Sequence, residues 1–92
     1  MIDVKDIGGM EAVKVALPNA NLILVKAAKG YLMCGYLNLD AAEKLGDVAC
    51  VVTGVKEIED ALNARVVKLT CGARKLGVKE GMSGWQALKI MG

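Results

Sequence analysis

Two short stretches constrain this chain more than anything else in it. Leu22-Ile23-Leu24-Val25 and Tyr31-Leu32-Met33-Cys34-Gly35-Tyr36-Leu37 are apolar at successive positions, with Lys29-Gly30 to turn the chain between them. Side chains of a strand alternate between its two faces, so a run apolar at every position has to be covered on both sides. The chain has only 92 residues, enough for one domain spanning 1–92. A domain of that size buries roughly 60–65% of its unfolded surface. Yet 54% of the residues are hydrophobic and the mean hydropathy is +0.40. Helices can cover one face of such a sheet; the simplest cover for the other is a second copy of the chain, so a homo-oligomer is expected.

The remaining elements follow from period and punctuation. Met1–Val4 reads as a short strand, and Gly8-Gly9 as a turn. Glu11–Leu17 alternates, with Ala12, Lys14 and Ala16 on one face and Val13, Val15 and Leu17 on the other. Pro18-Asn19-Ala20-Asn21 turns the chain back. Short turns between successive strands indicate an antiparallel meander. Asp40-Ala41-Ala42-Glu43 has the spacing of a capping box, opening a short helix that stops at Gly46. Val48–Thr53 is a further strand; the segment before it is about long enough for a crossover to a parallel neighbour, so its direction stays open. A second helix is expected over Glu57–Leu62, a strand over Arg65–Thr70 and a helix over Gly72–Leu76 ending at Gly77. Ser83 and Gln86 form another capping box, opening a last helix to Met91. The sum is an α+β domain with a mainly antiparallel, mixed sheet of five or six strands and three or four short helices on one face.

What is missing narrows the chemistry. There is no His, which removes imidazole bases, Cys–His dyads and His metal ligands. Hydroxyl nucleophiles are scarce: Ser83, Thr53 and Thr70. Cys34, Cys50 and Cys71 form no CxxC pair, so neither a zinc site nor a disulfide framework is indicated, and all three read as small buried hydrophobes. Net charge is +2, with ten Lys and two Arg, and the aromatics are Tyr31, Tyr36 and Trp85. That is a weak signature for nucleic-acid binding. No transmembrane run and no signal peptide are visible, so a cytoplasmic protein without membrane contact is expected. Nothing in the sequence calls for a cofactor.

The segment Gly30-Tyr31-Leu32-Met33-Cys34-Gly35 resembles the G-Y-x-M-C-G stretch of the YunC-like proteins, a family of unknown function found in bacteria and archaea. Gly54-Val55-Lys56 and the acidic helix after it resemble a second family segment. Leu76-Gly77-Val78, Gly81-Met82-Ser83-Gly84 and Ala87-Leu88 resemble its closing segment. The likeness runs over nearly the whole chain and implies a compact α+β domain. Glu57 departs from it, standing where the family pattern often has Thr, a better N-cap.

Candidate site residues cluster around Cys34. In an unbroken strand, Leu32, Cys34 and Tyr36 would share one face, and Tyr31, Met33, Gly35 and Leu37 the other. A glycine inside a strand marks a bulge or the close approach of a ligand or backbone, so Tyr31, Met33, Gly35 and Tyr36 are candidate lining residues around the thiol. Activation of Cys34 would need a cation or a helix N-terminus, and Lys29 and Lys56 are the candidate cations; the plain alternative is that Cys34 packs in the core. If the sheet is parallel there, Thr53, Gly54 and Lys56 lie at the carboxyl end of a strand and before a helix, where ligands collect in α/β sheets; the plain alternative is an ordinary turn. Glu57, Glu59 and Asp60 lie in the same place and oppose an anion. Trp85 would anchor the last helix to the sheet or to a partner copy. The sequence therefore points to a homo-oligomeric module that binds a small molecule or a partner at an interface pocket, with a Cys34-dependent enzyme as the alternative.

Overall fold

The computed structural model describes residues 2–92. The expected first strand begins at Met1, which lies outside the described residues. From Ile2 onward the chain forms β1 (Ile2–Ile7), β2 (Met10–Ala16), β3 (Asn21–Lys26), β4 (Tyr31–Met33), α1 (Leu39–Leu45), β5 (Ala49–Val51), α2 (Ile58–Asn63), β6 (Lys68–Leu69), α3 (Cys71–Leu76) and α4 (Gly84–Met91). The strands make one sheet in the order β1-β2-β3-β4-β5-β6. β1 to β4 are an antiparallel meander, as expected. β4 and β5 are parallel, with Leu32 beside Cys50 and Met33 beside Val51, and β6 returns antiparallel.

Alternation along the central strands divides the core. Ile23, Val25, Leu32, Cys50 and Val52 pack against Ile58, Ala61 and Leu62 of α2, Ala73 of α3, and Ala87, Leu88 and Met91 of α4. Met33, Ala49 and Val51 point the other way and pack against Ala42 of α1. Three helices thus share one face, and α1, the crossover between the parallel strands, lies on the opposite one. The open part of that opposite face is carried by Ile2, Val4, Val13 and Val15, aligned by the pairs Val4–Val13 and Ile2–Val15; beyond them in register, Leu24 packs against the α1-side cluster and Leu22 against the larger core.

Several expected boundaries and contacts differ, each through a specific hydrogen bond. β4 ends at Met33 instead of Leu37, because the Leu37 N–H donates back to the Cys34 carbonyl and closes a turn. α1 is capped by Asn38, not Asp40: its Oδ1 accepts from the Asp40 and Ala41 N–H groups at 2.8 and 3.2 Å. Glu43, assigned to that capping box, reaches α3 instead and accepts the Cys71 N–H. The strand expected over Arg65–Thr70 shrinks to Lys68–Leu69, because Val66 exchanges backbone hydrogen bonds with Gly81 and Met82. By contrast α4 starts as read: Ser83 Oγ accepts from Gln86 N–H and Gln86 Oε1 accepts from Ser83 N–H.

Candidate functional site

The parallel pair determines where a crevice opens. β4 is followed by Cys34–Asn38, which leads to α1 on one face; β5 is followed by Val52–Glu57, which leads to α2 on the other. Two adjacent strands whose connections leave toward opposite faces cannot close over their own carboxyl ends, and ligands collect in the gap. Two clefts lie there. The larger, about 490 Å³, is bounded by Tyr36, Asn38, Asp40, Thr53 and Lys68 over an apolar floor that includes Val51 and Val67. The smaller, about 350 Å³, is lined by Ala20, Asn21, Cys34, Gly54 and Val55. Gly35 and Tyr36 belong to both.

Gly35 separates the clefts by what it lacks. A Cβ added there would meet only Thr53 Cγ2, at 3.8 Å, and its φ lies outside the left-handed region. Neither crowding nor backbone strain requires glycine at this position. Beside it, the Tyr36 side chain is half exposed, at 50%, on the rim between the two clefts. Gly54, across the crevice, is different: its φ of 70° is one that side chains with a Cβ adopt rarely.

Several candidate residues come together here, and others do not. Cys34, Gly35, Tyr36, Thr53 and Gly54 all line the crevice. Tyr31 sits at the opposite end of β4, where its hydroxyl donates to Asp47 Oδ2 at 2.7 Å. Burial first, and then Asp47, push its phenol up to about 12. Met33 is buried on the α1 side. Lys56 borders neither cleft; its carbonyl accepts from Asn21 Nδ2 and its N–H donates to Asp60. Asp60 also accepts the Glu57 N–H, so the first turn of α2 is already served by a carboxylate of its own. Glu57, the departure from the family pattern, is held at 2.8 Å by Lys14 of β2.

The thiols differ from one another. Cys34 is buried, its Sγ accepts the Ile23 N–H at 3.3 Å, and no Lys or Arg lines its cleft. Lys29, the other cation considered for it, lies in the β3–β4 turn and donates its N–H to Met91. Cys50 is in the core, and burial pushes its thiol up to about 12. Cys71 departs from the expectation of burial: it is exposed at the start of α3 because Thr70 takes the interior position there. A hydrogen bond to the Glu43 carboxylate raises its pKa. No group of three or more metal-ligating side chains occurs among the described residues.

Asn21, Val55, Asn38, Asp40, Val67 and Lys68 were not legible as site residues from sequence. A signal existed for Asn21. Once β3 and β4 pair as Leu24–Met33, continuing that register sets Asn21 opposite Tyr36, but only a pairing register could reveal it.

Comparison with known proteins agrees with this architecture. The family model described as a domain of unknown function (DUF1805) matches residues 33–91, which contain both loops of the crevice. Uncharacterized protein YunC of Bacillus subtilis (strain 168) is 40% identical over 84 residues, covering 87% of this chain and 83% of that protein. The crystal structure of a protein of unknown function, TA1206 from Thermoplasma acidophilum, matches with a TM-score of 0.89 at 40% identity, covering 100% of this chain and 92% of that one.

Proposed function

The chain belongs to the DUF1805 family of YunC-like domains, and from that premise we propose that it is a small self-associating module that binds a small molecule in the crevice beyond β4 and β5. Gly35 carries the reading. It lies between the two clefts, and a side chain would fit there without collision, so its absence leaves room that folding does not require. The combined space falls within the range of small-molecule sites. The lining fixes the ligand's character. Asp40 and Lys68 offset one another, Asn21, Asn38 and Thr53 provide hydrogen-bonding groups, and Tyr36 offers a ring face. A compact ligand without net charge, part planar and part polar, matches these walls. Self-association is supported by the uncovered apolar face of β1–β3, where Ile2 and Val4 are 67% and 64% exposed.

Thermal-shift screening of neutral small molecules against the wild-type chain and Gly35→Leu tests the binding reading. Ligands that raise the melting temperature of wild type and not of Gly35→Leu support it. Ligands that stabilise both proteins equally would place the site elsewhere.

A second reading, thiol chemistry at Cys34, rests on the place of that residue in the lining of the smaller cleft. Cys34→Ala separates the two. A ligand that still binds belongs to the crevice alone; loss of a covalent adduct belongs to the thiol.

A further inference from the structure

The sheet ends in a long unpaired edge strand, charged at Asp3, Lys5 and Asp6. β1 holds the outer position of the six strands and pairs with β2 residue for residue over all of Ile2–Ile7. It contains no Pro and no bulge, and no helix is among the elements packed closely against it. Edges of this kind recruit another strand unless something blocks them.

Which groups face outward follows from the hairpin. Gly8 and Gly9 form a two-residue turn with φ of 58° and 89°, flanked by the pair Ile7–Met10. In such a hairpin the flanking residues exchange both backbone hydrogen bonds, and the alternation continues down the ladder. Asp3, Lys5 and Ile7 therefore spend their N–H and C=O groups on β2. Ile2, Val4 and Asp6 turn theirs away from the sheet.

We propose that β1 pairs antiparallel with β1 of a second copy of this chain across a two-fold axis at Val4, joining the two sheets into one. This rests on the self-association in the proposed function and gives it a partner surface and a register. Such an axis must pass through a residue, because the same face of both sheets has to stay together. An axis at Asp3 would oppose two aspartates, and an axis at Lys5 two lysines. The axis at Val4 sets Asp3 opposite the partner's Lys5 and Lys5 opposite the partner's Asp3. It also makes Val4 with the partner's Val4, and Ile2 with the partner's Asp6, the hydrogen-bonded pairs, as the outward groups demand. Asp3 and Lys5 then occupy non-hydrogen-bonded positions, where facing side chains come closest. On the opposite face the two Val4 side chains meet and make the Val4–Val13–Leu24 rows of the copies continuous.

Sedimentation equilibrium of the full chain, from micromolar to submillimolar concentration, tests this. Wild type is expected to be a dimer. Val4→Pro removes an N–H that no internal bond uses, and should weaken the dimer at least about tenfold with the circular dichroism spectrum unchanged. Lys5→Asp should weaken it roughly five- to tenfold, and the exchange Asp3→Lys with Lys5→Asp should restore it in part, since it also removes the 3.7 Å Asp3–Lys14 pair of the hairpin. Lys5→Asp leaves the Asp3–Lys14 pair across the hairpin in place, and keeps the proposal testable even where Val4→Pro disturbs the hairpin. A dimer indifferent to all three variants would overturn the β1 register while leaving self-association standing. A monomeric wild type across the range would overturn both.

Discussion

Gly35 and Thr53 stand opposite one another just beyond the paired residues Met33 and Val51, and a Cβ on Gly35 would approach only the Thr53 methyl, at 3.8 Å. The relation is set by the parallel register, which carries both loops off the sheet at the same level. One loop then turns to α1 and the other to α2, and the space between them is the crevice.

Tyr36→Ala removes the ring on the rim of both clefts. Its side chain is half exposed, so stability should change by less than about 0.5 kcal/mol. Ligand affinity should fall about tenfold or more, the usual scale for losing an aromatic contact surface. Chemical denaturation and ligand titration of the same variant check the two halves separately.

Gly84→Ala tests packing away from the crevice. A Cβ at the start of α4 would press into the Ala61 carbonyl of α2 and lie 2.9 Å from Leu32 Cδ2. Backbone cannot yield as a flexible side chain does, so urea unfolding should show a loss of about 1–3 kcal/mol.

How much of this was legible in the sequence depended on how local the signal was. The Gly8-Gly9 turn, the Gly46 and Gly77 helix ends and the Ser83–Gln86 cap are each written within a few residues, and the structure has all of them where those residues predict them. The Asp40–Glu43 pattern misled because Asn38, two residues earlier, competes for the same N–H groups, and Glu43 finds a partner 28 positions away. Cys34, Gly35, Tyr36, Thr53 and Gly54 could be nominated from strand ends and glycines. Their convergence required knowing that β4 and β5 run parallel, a long-range fact that the crossover length allowed without deciding.

The phenol of Tyr31 should resist ionisation. Burial and the Asp47 carboxylate raise it from 10.0 to about 12. A folded-state pKa above the unfolded value means that this stabilisation is fully present below about pH 10 and is lost as pH rises through 12. Absorbance titration of wild type and Tyr31→Phe should differ by a transition near pH 12. At neutral pH, Tyr31→Phe should cost about 1–2 kcal/mol for the lost hydrogen bond to a charged acceptor.

Glu43 and Cys71 should titrate as a linked pair. Hydrogen bonds from Cys71 hold the Glu43 carboxyl below its ordinary value of 4.5. The stability this bond gives is therefore present above pH 4.5 and is lost as pH falls through the lowered value. In the other direction, the carboxylate raises the Cys71 thiol. Iodoacetamide labelling resolved by peptide should show Cys71 reacting in the native protein, with a midpoint that moves down in Glu43→Gln. Cys50, fully buried, should label only after denaturant is added.

The most direct test of the crevice is amide chemical-shift mapping of the native chain against a library of small neutral fragments. The predicted result is that hits from unrelated scaffolds converge on the amides of Gly35, Tyr36, Thr53 and Gly54, and that Gly35→Leu abolishes those shifts while leaving the rest of the spectrum in place. Hits that scatter over the surface, or that converge on another part of the sheet and survive Gly35→Leu, would contradict it.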